Sequence, residues 1–135
     1  MIYALDTNII SYYLKGDKAI RDRFRKAIIN KDTLVIPPLA YYEVKRGFYL
    51  NPAPAKEKAF NQMCVNYAVG KLNNRGFDCA ARLYADLRAR NPEDADLLIA
   101  AFCIVNNYTL VTNNVKHFKD IDGLNIENWV VEQHG

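Results

Sequence analysis

Acidic side chains that could bind a divalent metal ion occur at three widely separated places in this 135-residue sequence. Asp6 ends the apolar run of residues 1–5. Glu43 lies among apolar and small residues, and Asp96 precedes the apolar run of residues 97–105. Carboxylate oxygens are the ligands that Mg²⁺ and Mn²⁺ prefer, and these ions complete their coordination with water and substrate phosphates. The three acids are therefore candidates for one metal site, provided that the fold brings them together.

Alternating strand and helix patterns predict the elements that position these acids. Short β-branched or apolar runs bounded by polar residues or proline indicate strands, and apolar residues spaced three and four apart indicate helices. The predicted strands are residues 1–5, 33–36, 67–72, 108–111 and 124–129. The predicted helices are residues 9–15, 18–30, 38–50, 55–67, 74–90 and 92–105, with a short helix or turn at 117–118. Asn91 is expected to cap the last long helix, with Pro92 as its first residue.

This alternation favours an α/β fold of three layers, with helices on both faces of a central, mainly parallel sheet of four to five strands. Polar residues follow two of the strands: Asp6 ends the first, and Asn114 lies just beyond residues 108–111. Ligand sites in such sheets lie beyond the carboxyl ends of the strands. We therefore expect Asp6, Asp96 and Asn114 to meet in one pocket, with Glu43 contributed by a neighbouring helix. The sequence has no glycine-rich phosphate loop, GxSxG elbow or histidine cluster that would indicate other chemistry.

Two of the candidate positions also have an ordinary structural explanation. Asp6 or Asn8 could simply cap the helix that follows, because both side chains accept hydrogen bonds from backbone N–H groups at helix starts. Glu43 could form an intrahelical pair with Arg46, which would contribute only a few tenths of a kcal/mol at a surface. Only the convergence of several acids on one pocket distinguishes a metal site from these alternatives.

The acidic cluster before residues 97–105 is explained only in part by helix formation. Asp94 fits the first turn of a helix, where the positive end of the helix dipole stabilises an acid. Asp96 is expected to lie a full turn inside a helix that is apolar almost all round, and a buried carboxylate there needs a partner. His117 is expected to be a hydrogen-bonded packing partner rather than a ligand or an RNA contact.

Length and composition indicate an ordinary globular protein, and residues 1–135 are expected to form one domain. Half of the residues are apolar, 24% are charged, and the net charge of +3 by itself decides little about a polyanionic partner. The longest apolar run is too short to span a bilayer, and the first residues lack the features of a signal peptide. Three cysteines without a CxxC spacing indicate reduced thiols. We therefore expect a cytoplasmic protein without a membrane partner.

Five short motifs, taken in their order and spacing, carry a family resemblance that covers nearly the whole chain. They are Leu5-Asp6-Thr7-Asn8, Tyr42-Glu43-Val44-Lys45-Arg46-Gly47, Asp96-Leu97-Leu98-Ile99-Ala100-Ala101, Thr109-Leu110-Val111-Thr112-Asn113-Asn114, and His117-Phe118 with Gly123-Leu124 and Trp129. The chain resembles PIN-domain ribonucleases, specifically the VapC-type toxins of prokaryotic toxin–antitoxin pairs. The resemblance implies a single PIN-like domain with metal-dependent endoribonuclease activity, inhibited by a cognate antitoxin and usually dimeric.

The resemblance also implies roles for individual residues. Asp6 and Asp96 match the metal-binding acids of the family, and Glu43 matches its third acid, so these three would hold Mg²⁺, with Mn²⁺ as a possible substitute. Asn114 matches the fourth catalytic position, and Thr112 matches a supporting hydroxyl. The implied reaction is hydrolysis of an RNA phosphodiester by a metal-activated water, which Glu43 would orient or deprotonate.

Further residues around these motifs are expected to assist. Asn8 and Asp94 are candidate supporting residues, although Asp94 is also explained by the start of a helix. Lys45, Arg46 and Lys116 are candidate contacts to the RNA backbone, and each is equally suited to being a surface charge.

Two other classes of protein compete with the nuclease interpretation. A catalytically inactive PIN-like module could bind RNA or a protein without cutting, but the presence of all three acids argues against it. A phosphohydrolase with an aspartyl nucleophile is suggested by Asp6-Thr7, but that class needs a second acid two residues after the nucleophile, where this chain has Asn8.

Overall fold

Four short strands form an entirely parallel sheet in the order β2-β1-β3-β4. The structure is a computed structural model that describes residues 1–131, so the last four positions of the predicted domain, 132–135, lie outside the described part. The strands are β1 (Ile2–Leu5), β2 (Thr33–Val35), β3 (Thr109–Val111) and β4 (Asn125–Glu127). The predicted parallel sheet of four to five strands is therefore confirmed, with four strands in the described residues.

In the part of the chain that the structure describes, seven helices connect and cover the strands. They are α1 (Thr7–Leu14), α2 (Lys18–Ile29), α3 (Pro38–Leu50), α4 (Pro54–Tyr67), α5 (Asn74–Leu87), α6 (Asp94–Asn106) and α7 (Val115–Phe118), and a 3-10 turn, Arg88–Arg90, follows α5. Within residues 1–131, none of these helices combines the length and the apolar character needed to cross a lipid bilayer.

Side chains of alternate strand residues pack into two hydrophobic cores, one on each face of the sheet. Leu5 and Val111 face the core that α1, α2, α3 and α4 cover. Ala4 and Leu110 face the core that includes buried residues of α6 and α7, with α5 packed at its margin. This alternation follows from the two-residue period of a strand, and it confirms the three-layer arrangement. Cys103 is a buried free thiol in the second core.

The prediction of a strand at residues 67–72 was wrong. Only Val69 pairs with the sheet region, through one parallel bridge to Ile36. The N–H of Ile36 donates to the carbonyl of Ala68 over 3.1 Å, and the N–H of Gly70 donates to the carbonyl of Ile36 over 2.8 Å. The ladder stops there because the next residue, Pro37, has no N–H and is the N-cap of α3.

The prediction that Asn91 caps the last long helix was also wrong. Asn91 has left-handed backbone angles (φ 51°, ψ 58°) and closes the preceding 3-10 turn, a conformation that asparagine tolerates. The helix α6 begins later, with Glu93 at its N-cap. Asp96 consequently lies in the first turn of α6 rather than a full turn inside it, near the positive end of the helix dipole.

Candidate active site

The buried carboxylate of Asp6 lies at the carboxyl end of β1, where the chain turns into α1. Its backbone N–H donates to the carbonyl of Val111 over 2.9 Å, which ties this end of β1 to β3. Oδ1 accepts from the backbone N–H of Thr7 over 2.8 Å. Oδ2 accepts from the side-chain amide of Asn8 over 3.1 Å and from the hydroxyl of Thr112 over 2.7 Å. Asp6 is therefore both the N-cap of α1 and an acid held in one orientation by three donors, with 4% of its surface exposed.

The polar segment after β3 is bonded to the polar segment after β1. Thr112 is completely buried, and its hydroxyl oxygen accepts from the backbone N–H of Asn114 over 3.0 Å. The side-chain oxygen of Asn8 accepts from the backbone N–H of Asn113 over 2.9 Å. Thr112 and Asn8, the two residues predicted to assist Asp6, thus join the ends of adjacent parallel strands.

Glu43 reaches Asp6 through Thr7. The hydroxyl of Thr7 donates to Oε1 of Glu43 over 2.8 Å, whereas the predicted partner Arg46 has its Nη2 atom 4.0 Å from Oε2. Burial raises the pKa of Glu43, the hydrogen bond from Thr7 acts in the opposite direction, and the negative charges of Asp6 and Asp96 raise the pKa further. Glu43 is therefore a partly buried carboxylate in a negative environment, and its pair with Arg46 is weak.

Asp96 lies on α6, which covers the opposite face of the sheet from α3, the helix that carries Glu43. Its Oδ2 lies 2.9 Å from Nδ1 of His117 on α7. Burial raises the pKa of Asp96, the contact with His117 lowers it, and the charge of Asp6 raises it. The hydrogen bond expected of His117 is thus observed, and it supplies the partner that Asp96 was expected to need. The expected packing role is not observed, because about half of the His117 side chain is exposed.

The arrangement of the acids fits a divalent cation that takes only some of its ligands from the protein. Thr7 is bonded to both Asp6 and Glu43, and the negative charge of Asp6 raises the pKa of both Glu43 and Asp96, so the three acids share one region. Within residues 1–131, however, no group of three or more His, Cys, Asp or Glu side chains is arranged so that it could hold a metal ion. Mg²⁺ is commonly bound by one or two carboxylates together with water and substrate phosphates, and this oxygen donor set suits such binding.

The remaining two predicted residues, Asn114 and Asp94, differ in their relation to the three acids. Asn114 is exposed at the N-cap of α7, and its side chain forms no hydrogen bond with any residue in the described part of the chain. Asp94 is the first residue of α6 and lines a groove with Phe77 and Tyr84, on a different side of the helix from Asp96. The structure therefore does not bring Asp94 to the acids.

The three basic residues predicted to contact RNA differ in position. Lys45 faces α4, where its Nζ lies 2.6 Å from Oδ1 of Asn61 and 3.5 Å from a carboxylate oxygen of Glu57. Arg46 is exposed beside Glu43, and Lys116 lines a cavity with Asp96. Arg46 and Lys116 therefore flank the acids, and Lys45 does not.

Sequence reasoning missed the contact made by Thr7. Its backbone N–H holds Asp6 and its hydroxyl holds Glu43, so one residue orients two acids. The available signal was its place directly after Asp6, because the first residue of a helix projects beside its N-cap.

Comparison with known protein families identifies the family to which this chain belongs. The family model described as PIN domain matches residues 3–124. The chain belongs to the PIN-domain family. A curated relative, Ribonuclease VapC2 of Rickettsia felis, is 32% identical over 136 residues, covering 96% of this chain and 98% of the relative. The resemblance to VapC ribonucleases that the sequence motifs carried is therefore confirmed.

Solved structures of toxin–antitoxin complexes share the fold. A chain of the Rickettsia felis VapBC2 structure, bound to a DNA fragment from its promoter, superposes with a TM-score of 0.87 at 28% identity, covering 96% of this chain and 100% of that chain. A chain of VapBC-1 from nontypeable Haemophilus influenzae gives a TM-score of 0.82 at 29% identity, with 96% and 98% coverage. The PIN-like α/β fold predicted from the sequence is confirmed by this agreement.

Proposed function

We propose that this protein is an endoribonuclease that hydrolyses RNA phosphodiester bonds and acts as the toxin of a toxin–antitoxin pair. Membership of the PIN-domain family and the similarity to proteins named Ribonuclease VapC support an RNA-cleaving hydrolase. The observation that carries the proposal is the environment of Asp6. A buried carboxylate that is held by three donors, and whose charge raises the pKa of both Glu43 and Asp96, is a costly arrangement that suits a cation site.

We propose that Asp6 and Asp96 bind Mg²⁺, with Glu43 as a third acid and Mn²⁺ as a possible substitute. When bound, the ion would lower the pKa of a water molecule and neutralise charge on the scissile phosphate. Burial and like charge raise the pKa values of Glu43 and Asp96, so a cation between these acids would relieve the repulsion. One or two protein carboxylates are sufficient for Mg²⁺ when an RNA phosphate supplies further oxygens.

The protein residues around the acids have separate tasks in this proposal. Asn8 and Thr112 hold the carboxylate of Asp6 in place, and Thr7 holds that of Glu43. Glu43 orients the attacking water or accepts its proton, a role that a raised pKa favours. Asn114 is proposed for the fourth position of the site, because its backbone N–H binds the hydroxyl of Thr112.

The basic residues nearest the acids are proposed to contact the RNA backbone. Arg46 and Lys116 flank the site from α3 and α7, and phosphate contacts of this kind position a nucleic acid without selecting its sequence. Lys45 is the weakest of the three candidates, because Asn61 and Glu57 already hold its ammonium group.

We further propose that a cognate antitoxin binds and inhibits this protein, that the protein forms a homodimer, and that it acts in the cytoplasm as a single domain. The solved structures that share its fold are VapBC complexes, which supports an antitoxin partner. The three free thiols are consistent with a reducing compartment.

The test compares three charge-removing variants with a matched control. D6N, E43Q and D96N keep the size of each side chain, whereas D78N removes an exposed aspartate that pairs with Arg82 on α5. Labelled RNA is cleaved under single-turnover conditions, with Mg²⁺ and with a chelator. We expect the three site variants to lose about 100-fold or more in rate, because proton transfer and charge stabilisation each contribute at least that much. D78N should retain the rate of the parent protein.

The outcomes separate the proposal from its alternatives. Cleavage by D6N at the parental rate in excess Mg²⁺ would show that the catalytic assignment is wrong. RNA binding without cleavage by folded parent protein would instead favour the inactive PIN-like module. Induction in cells should arrest growth for the parent and D78N but not for D6N, and equal growth of all strains would contradict a toxin.

A further inference from the structure

The short helix α7 is anchored on both sides of His117. Its next residue, Phe118, is fully buried in the core that contains Leu110. The backbone N–H of His117 donates to the carbonyl of Asn114 over 3.0 Å, and Asn114 in turn donates to the buried hydroxyl of Thr112. The imidazole of His117 is therefore presented to the acids from a fixed backbone rather than from a loose loop.

The ring of His117 meets only one of the two oxygens of Asp96. Nδ1 lies 2.9 Å from Oδ2, and within residues 1–131 no hydrogen bond engages Oδ1. The contact joins α7 to the first turn of α6, across 21 positions of sequence. A carboxylate held through one oxygen has a fixed plane, so its second oxygen keeps one direction.

The other ring nitrogen of His117 is directed away from this contact by the shape of imidazole. About half of the side chain is exposed, and the ring lines a cavity of about 250 Å³ together with Lys116. The ring of His117 is not part of a hydrophobic core, and among the described residues it forms one hydrogen bond, to Asp96.

We propose that His117 is a positioning residue for the metal-binding carboxylate Asp96: its Nδ1–H group holds Oδ2 and thereby leaves Oδ1 directed at the ion. This inference rests on the proposed function, because it needs Asp96 to bind metal. Outer partners that orient ligating groups typically change metal affinity by about 10- to 100-fold when they are removed. His117 itself is neither a ligand nor a proton donor to substrate in this proposal.

Asparagine and glutamine provide a matched pair of variants at position 117. The amide nitrogen of asparagine occupies the place of imidazole Nδ1, whereas that of glutamine lies one carbon further out, nearer the place of Nε2. H117N should therefore keep the hydrogen bond to Asp96, and H117Q should lose it. Q62A is the control, because it removes the exposed bond between Gln62 and Asn66 on α4.

The first measurement is calorimetric titration with Mn²⁺ alone, without RNA. We expect the dissociation constant of H117Q to rise about 10- to 100-fold over that of the parent, and those of H117N and Q62A to stay close to it. The second measurement is single-turnover cleavage against Mg²⁺ concentration, in which H117Q should need more metal but approach the parental rate at saturation. Unchanged Mn²⁺ affinity in H117Q, or equal loss in H117N and H117Q, would overturn the inference.

A spectroscopic measurement on the unsubstituted protein does not depend on how the variants fold. The chain has two histidines, so ring ¹⁵N signals can be assigned with H117N alone. At a pH at which the spectrum itself shows the ring of His117 to be neutral, its proton should lie on Nδ1. A proton on Nε2 would overturn the inference while the nuclease proposal stands. Failure of the parent protein both to bind Mn²⁺ and to cleave RNA would instead overturn the proposed function, and this inference with it.

Discussion

Replacing Thr112 by valine should reveal how strongly the site depends on one buried hydroxyl. The hydroxyl donates to Oδ2 of Asp6 over 2.7 Å and accepts from the backbone N–H of Asn114 over 3.0 Å. A hydrogen bond to a charged group contributes about 1.5–3 kcal/mol and an ordinary one about 0.5–1.5 kcal/mol. Valine has nearly the same shape, so no cavity adds to this loss. The free energy of unfolding should therefore fall by about 2–4 kcal/mol.

The strand that ends just before Thr112, β3, supplies a matched control in Thr109. That residue is 9% exposed, and the only side-chain contact of its hydroxyl among residues 1–131 is with the sulfur of Met1, at 3.5 Å. T109V should change the free energy of unfolding by no more than about 0.5 kcal/mol.

Urea unfolding in the presence of a chelator, followed through Trp129 fluorescence and circular dichroism, measures both variants. With a slope of about 2 kcal/mol per molar urea, T112V should shift the midpoint by roughly 1–2 M. T112V should also slow RNA cleavage, because Asp6 loses one of its three donors. Equal midpoints for T112V and T109V would refute the reasoning that the hydroxyl holds Asp6.

Two further predictions concern stability. Burial raises the pKa of Glu43 above its ordinary value of 4.5, so the folded state binds that proton more tightly than the unfolded chain does. The stabilisation from this tightly bound proton is present at low pH and is lost as pH rises through the pKa of Glu43 in the folded state. In metal-free protein, the free energy of unfolding of E43Q minus that of the parent should therefore increase from about pH 4.5 upward. A difference that stays constant with pH in urea unfolding would contradict this prediction. A Cβ atom added at Gly70 would lie 2.3 Å from Cζ of Phe102, so G70A should cost about 1–3 kcal/mol. A Cβ at Gly47 inside α3 meets nothing within 4 Å, so G47A should stabilise by about 0.5–1 kcal/mol, and thermal melting that ranks these two variants in the opposite order would refute the packing argument.

The polar ends of the strands were predictable because parallel strands direct their carboxyl ends to one edge. An apolar run that stops at Asp6 and another that stops at Thr112 were sufficient to place both residues at that edge, and the hydrogen bond between them is observed. The alternation of strand and helix patterns likewise predicted helices on both faces of the sheet.

The errors arose where one residue decides between two local structures. Asn91 could start a helix or end one, and its left-handed angles end the 3-10 turn instead. Residues 67–72 have the composition of a strand, but Pro37 on the partner segment ends the pairing after one bridge. Partners such as Asp96 and His117 depend on how α6 packs against α7, which no local pattern records.

The three acids differ in what offsets their mutual repulsion. Asp6 lies at the N-cap of α1 and Asp96 in the first turn of α6, so both are near the positive ends of helix dipoles. Glu43 lies in the middle of α3 and has no such contribution, and the hydroxyl of Thr7 is its closest donor. Because the N–H of the same residue holds Asp6, a shift of Thr7 would disturb two acids that are 37 positions apart in sequence.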